Sequence, residues 1–151
     1  MTITELNLPV AKLRITAKNG KEYIFDKLRR KYVTLTQEEW VRQNFVSYLI
    51  HHRGFFAGLM GNEVSLVQNG IKRRCDTLVS DKFGKPIVIV EYKSPSVDIT
   101  QKVFDQIVRY NYVLKAKYLI VSNGICHYCC RINYDTEDYS FLEDIPFYGD
   151  L

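Results

Sequence analysis

Alternation with a period of two runs through most of this chain, and two stretches switch to a period near 3.6. The segment "AKLRITAKNGKEYIFD" is a pair of short alternating runs around Asn19-Gly20, a dipeptide that accepts positive φ in a tight hairpin turn. It predicts a peripheral amino-terminal hairpin within residues 1–33. In "TLTQEEWVRQNFVSYLIHHRG" the period changes. Apolar residues at Val41, Phe45, Tyr48 and Leu49, a Thr36 N-cap and Gly54 as a stop together predict an amphipathic helix. "EVSLVQNGIKRRCDTLVSD" reads as a second hairpin about Asn69-Gly70, and "DKFGKP" turns the chain into the strand "IVIVEYKS". A helix from about Ile99 to Lys115 follows, then the strand "KYLIVS", a turn at Asn123-Gly124 and the strand "ICHYCCRIN". The tail "TEDYSFLEDIPFY" leaves room for one more short helix. The order of hairpin, helix, three strands, helix and two strands predicts an α/β sandwich with a mixed sheet.

Composition narrows this to one domain. With 151 residues, 46% of them hydrophobic, the chain can bury one core. It contains no repeat and no linker rich in Pro, Gly or Ser, so a single domain is expected over residues 1–151. Twenty-one Lys and Arg against seventeen Asp and Glu give a net charge of +4, compatible with a polyanionic partner. The start "MTITELNLPV" lacks a basic segment followed by an apolar one, and no apolar run approaches membrane-spanning length, so a cytoplasmic protein without a membrane partner is expected. Three of the four Cys crowd into "CHYCC", which is not the dispersed spacing of a disulfide framework.

The candidate chemistry begins where "IVIV" runs into Glu91, Tyr92 and Lys93. Residues two apart on a strand share a face, so Glu91 and Lys93 project together. In the preceding strand, "RRCDTLV" places Asp76 where the pattern calls for an apolar residue, and the intervening length suits the return on an adjacent strand. Two carboxylates meeting across neighbouring strands repel unless a cation lies between them, and all-oxygen ligands favour Mg²⁺ or Mn²⁺. Lys93 beside them suits a phosphate oxygen or an attacking water. On the following helix Gln106 and Tyr110 are one turn apart, able to hydrogen-bond phosphate or sugar.

Asp76, Glu91-x-Lys93 and Gln106-x-x-x-Tyr110 in this order resemble the PD-(D/E)xK nuclease signature in its RecB-like form. The pattern of "EEWVRQ", "KRRCDTLV", "GKPIVIVEYKSP", "QIVRYN" and "YLIVSNG" is similar to the amino-terminal domain of type I restriction enzyme R subunits, from about Thr34 to Tyr148. Cys75 stands where the motif has Pro, and the motor that follows this domain in full R subunits is absent from the sequence. The resemblance implies a restriction-endonuclease-like fold and an Mg²⁺-dependent endonuclease acting on DNA, with other restriction-system subunits as candidate partners. It assigns Asp76 and Glu91 to the metal, Lys93 to catalysis, and Gln106 and Tyr110 to the nucleic-acid backbone. It also implies a further carboxylate on the first helix. Glu39 sits at the capping-box position three after Thr36, so Glu38, on the core-facing stripe, is the expected ligand. A catalytically silent nucleic-acid-binding or assembly module of the same fold is the alternative, and an RNA or repair nuclease shares every motif.

Of the basic runs, Lys72, Arg73 and Arg74 adjoin Asp76 and are the expected phosphate contacts; "KLRRK" (Lys27 to Lys31) reads as a solvated face. Alternation scatters the ligands of "CHYCC" to opposite faces, which disfavours zinc, and His51-His52 at a helix carboxyl end suit the dipole.

Overall fold

In a computed structural model, which describes residues 1–151, the turn dipeptides fall where expected. Asn19 and Gly20 both have positive φ and join β1 (Ile15–Lys18) to β2 (Lys21–Asp26) as an antiparallel hairpin. A third strand, β3 (Lys31–Thr34), then pairs with β2, so the expected hairpin is a three-stranded sheet. The reason is Asp26. Its carboxylate accepts the backbone N–H groups of Leu28 and Arg29 at 2.8 and 2.9 Å, which folds the charged run into a turn. Nor is this region merely peripheral: Asp26 is fully buried and accepts a 3.0 Å hydrogen bond from Asn62 of the main sheet.

Helix α1 (Gln37–His52) begins as expected, with the Thr36 hydroxyl accepting from the Glu39 N–H at 3.0 Å, and Gly54 follows its end with φ of 70°. The main sheet holds β4 (Met60–Gln68), β5 (Ile71–Ser80), β6 (Pro86–Tyr92), β7 (Tyr118–Ser122), β8 (His127–Asn133) and β9 (Asp138–Phe141), side by side in chain order. Every neighbouring pair is antiparallel except β6 and β7. A parallel pair needs a crossover, and α2 (Gln101–Asn111) supplies it. This helix is shorter than its pattern suggested: it ends in one 3₁₀ turn at Tyr112–Leu114, after which Lys115 takes a left-handed conformation. The tail forms β9 where a helix was expected, because Tyr139 and Phe141 pack on Phe104 with ring centroids 5.6 and 4.8 Å apart; only Tyr148–Asp150 is helical, as a 3₁₀ turn.

The two helices cover opposite faces. Val41, Phe45 and Leu49 of α1 pack with Val79, Val88, Val90 and Tyr92, whereas Phe104 and Val108 of α2 pack with Leu78, Ile89, Leu119 and Val121. Burying each such aliphatic or aromatic side chain contributes about 1.5–3 kcal/mol. Alternation along β6 therefore sends Val88, Val90 and Tyr92 toward α1, and Ile89 and Glu91 toward α2.

Candidate active site

The register of β5 on β6 brings the two carboxylates together. Thr77 is opposite Val90 in the last pair of the ladder, which leaves Asp76 and Glu91 as the next residues beyond it on the two adjoining strands. Asp76 Oδ2 accepts the Tyr92 N–H at 2.9 Å, which ties its carboxylate to the neighbouring strand. The Glu91 carboxyl lies within hydrogen-bonding reach of Asp76. Burial, the charge of Asp76 and that hydrogen bond push it up to about 8, while Lys93 acts in the opposite direction. Lys93 follows the last residue of β6, and its N–H donates to Ser122 O at 2.9 Å, continuing the parallel ladder. The six ion pairs of the protein include none of Asp76, Glu91 and Lys93. A structural salt bridge between Glu91 and Lys93 is therefore not what this strand end builds.

The α2 side contributes a residue that the motif did not point to. Asn111 is 2% exposed; its Nδ2 donates to Ile107 O at 3.0 Å and reaches Glu91 Oε1 at 3.4 Å, while its Oδ1 has no partner. The signal lies in the sequence: Phe104, Val108 and Asn111 share one helical stripe, and an amide among apolar residues on that stripe has to meet something polar. Gln106 and Tyr110 are exposed one turn apart on α2. Tyr110 carries the Arg73 guanidinium 4.3 Å from its ring centroid, and its carbonyl accepts from Arg73 Nε at 2.7 Å.

Of the two glutamates weighed for the first helix, the structure buries Glu39 and leaves Glu38 in solvent. Glu38 makes no hydrogen bond or ion pair, whereas Glu39 is 6% exposed. In the first turn of α1 the stripe that Glu38 shares with Val41 and Phe45 has run past the core, and the buried arc is held by charged and amide groups. Glu39 does not turn back to cap the helix. Its carboxylate accepts from Arg29 Nη2 at 2.8 Å, Arg42 Nε at 2.9 Å and Gln43 Nε2 at 3.0 Å. Arg42 passes the connection on: Nη1 donates to Asp76 O at 2.8 Å and Nη2 to Glu63 at 2.7 Å. Beside it, the Thr77 hydroxyl lies 2.6 Å from Asn62 Oδ1 and 2.8 Å from the Tyr92 hydroxyl. The backbone on either side of the paired carboxylates is thus pinned from the α1 side. A charged residue three after Glu39 inside an apolar stripe was the only sequence sign of this network.

The basic run near Asp76 is less free than its composition suggests. Arg73 is held by Tyr110, Arg74 pairs with Glu63 at 2.7 Å, and Lys72 alone is exposed without a partner. If Lys72 contacts a phosphate, Lys72→Ala lowers the slope of log K against log salt for duplex binding by about 0.9, measured by a salt-titrated binding curve. An unchanged slope would remove this residue from the interface. In the "CHYCC" strand Cys129 and Cys130 lie in opposite cores, and the two ring nitrogens of His127 meet Ser122 Oγ and Asn7 O at 2.7 and 2.8 Å.

A mixed six-stranded sheet with one helix on each face and a carboxylate pair across adjacent central strands defines a restriction-endonuclease-like α/β domain. The chain belongs to the family of the type I restriction enzyme R protein N terminus, whose family model matches residues 37–146. A search of curated proteins returns no match. The matched span begins with α1 and contains Asp76, Glu91, Lys93, Gln106 and Tyr110; the amino-terminal sheet lies outside it. No helix of the protein is long and apolar enough to cross a membrane.

Proposed function

We propose that this chain is a divalent-metal-dependent endonuclease domain that hydrolyses DNA phosphodiester bonds, of the PD-(D/E)xK type. The observation that carries the reading is the adjoining pair of Asp76 and Glu91, with Lys93 two residues on and none of the three neutralised in an ion pair. The donor set fits a hard cation. Two carboxylate groups offer oxygens only, and a divalent ion between them removes the repulsion that holds a proton on Glu91. No third Asp, Glu, His or Cys joins them, so any remaining ligands are backbone, side-chain amide or hydroxyl, water or substrate oxygens. When bound, Mg²⁺ or Mn²⁺ supplies Lewis-acid polarisation of the scissile phosphate and acidifies a coordinated water. Lys93 offsets negative charge as it builds on the phosphate and orients the attacking water. Gln106 and Tyr110 hold the backbone of the strand in place, and Asn111 fixes the Glu91 carboxyl. Membership in a restriction-enzyme family supports DNA in a restriction system as the substrate context, with other subunits of such a system as partners. Incubating the purified chain with supercoiled plasmid, with and without Mg²⁺ or Mn²⁺, tests it: nicking that requires the metal is expected. Metal-independent nicking, or none with a reconstituted complex, would sink the reading.

The silent-module alternative draws on one observation, the absence of a third carboxylate, and a pH series separates the two. In metal-free protein Glu91 titrates near 8 when folded against about 4.5 when unfolded. Its contribution to stability is fully present below the unfolded value and is lost as pH rises through the folded one. Melts in chelator should therefore show Tm falling from about pH 4.5 to about pH 8 and levelling off above, with a flatter profile for Glu91→Gln. Divalent ions should reverse the fall, because the ligand form is the carboxylate; at about a hundred times Kd the gain is roughly 2.7 kcal/mol. Equal metal shifts in the wild type and in Asp76→Ala would favour the silent module.

A further inference from the structure

The amino-terminal sheet and α1 enclose a cavity of about 400 Å³. Four cations line it. Lys12 and Arg14 come from the segment that enters β1, and Lys27 and Arg30 from the turn between β2 and β3. No Asp or Glu lines the cavity, and none of the four cations takes part in an ion pair. Four like charges converging without a carboxylate repel one another, and an anion of several charges relieves that repulsion. All four are exposed, and the backbone that carries two of them is fixed. Buried Asp26 fixes the turn that carries Lys27 and Arg30, and the Arg14 guanidinium stacks 4.1 Å from the Phe25 ring centroid. The volume far exceeds one phosphate, and Phe25 and Val46 give it an apolar wall.

We propose that this cavity binds the phosphate groups of a nucleotide unit, with Arg14, Arg30, Lys12 and Lys27 taking the anionic oxygens and the Phe25–Val46 wall carrying the sugar or base. Arginines suit bidentate phosphate contacts and lysines act as point charges, so the mixture matches several oxygens at different angles. All four cations precede residue 37, outside the span that the family match covers, and the site needs no part of the Asp76–Glu91 chemistry. A free nucleotide and a nucleic-acid strand share this chemistry.

The test is calorimetric titration of the whole chain, in chelator and at low salt, with pyrophosphate, a nucleoside triphosphate and a short 5′-phosphorylated oligonucleotide. Chelator silences any metal site, so nuclease failure and failure here are distinguishable. The double variant Lys12→Ala/Arg30→Gly removes two cations, and glycine suits Arg30's φ of 54°. It should bind every probe that binds the wild type at least about tenfold more weakly, as loss of charge-assisted hydrogen bonds implies. Ser47→Asp, which places a carboxylate on the α1 side of the cavity, should do the same from a different element. The matched control Lys82→Ala/Lys102→Ala loses the same charge elsewhere and should bind as the wild type does. Binding of pyrophosphate or the triphosphate assigns free nucleotide as the source; binding of the oligonucleotide alone assigns a strand. No heat with any probe, or equal losses in the control, would overturn the proposal.

Discussion

Glu91→Ala and Lys93→Ala should each depress plasmid nicking by about 10²–10³-fold, or about 2.7–4 kcal/mol of transition-state stabilisation, while leaving the sheet folded. Glu91 is the more informative of the two. It lies between Asp76 on one side and Asn111 on the other, so removing it takes away a proposed metal ligand together with a buried carboxyl that stays protonated only because of burial and the neighbouring Asp76 charge. The variant should therefore melt no lower than the wild type near neutral pH, even as cleavage disappears. Lys93 carries no partner that its loss would strand. DNA affinity should separate from cleavage, since deleting a carboxylate removes a charge that opposes the phosphate backbone, and Glu91→Ala should bind DNA at least as tightly as the wild type. Nicking assays and salt-titrated binding on the same folded variants, with partner subunits supplied if the lone chain is inactive, measure both. Undiminished nicking in both variants would show that the end of β6 is not an active site.

What the sequence made legible was whatever a local rule governs. Asn19-Gly20 and Asn69-Gly70 specify their turns through φ alone, and the period-two alternation around Asp76 and Glu91 specifies their shared face. β3 was hidden because its formation depends on Asp26 capping a turn, a side-chain event that hydrophobic alternation does not encode. β9 was hidden for a different reason: "DYSF" earns its place by packing Tyr139 and Phe141 onto Phe104, almost forty residues away in sequence. Glu38 and Glu39 show the limit most clearly. Helical spacing puts Glu38 on the stripe of Val41 and Phe45, but a stripe says nothing about where the core stops along the helix axis. Three donors from Arg29, Arg42 and Gln43 decided the matter for Glu39. Arg29 and Glu39 are ten residues apart and Arg42 and Asp76 thirty-four, so the network is a tertiary fact.

That network makes Arg42→Ala the variant with the largest expected structural effect. Arg42 is 8% exposed and donates to Glu39, Glu63 and the Asp76 carbonyl. Burial by itself would lower the guanidinium's pKa, yet the charges of Glu39, Glu63 and Asp76 and the hydrogen bond to Glu63 raise it, so the ionised form is the one the fold holds. Removing one partner of a buried ion pair typically costs about 3–5 kcal/mol, because the other charge is left in low dielectric. For a domain of this size that corresponds to a fall in Tm of about 6–20 °C. Arg42→Lys should recover little, since one ammonium cannot satisfy three acceptors set at the angles of a guanidinium. Adding Glu39→Gln to Arg42→Ala should restore part of the loss, as the stranded carboxylate is neutralised, and that non-additivity identifies the buried charge as the cause. Because Asp76 O loses its donor, the metal-dependent nicking proposed above should also fall in the folded fraction of Arg42→Ala. A Tm within about 2 °C of the wild type would mean that water reaches Glu39 freely, and that the sheet ladders and the Thr77–Asn62 and Thr77–Tyr92 contacts hold the backbone carrying Asp76 without Arg42.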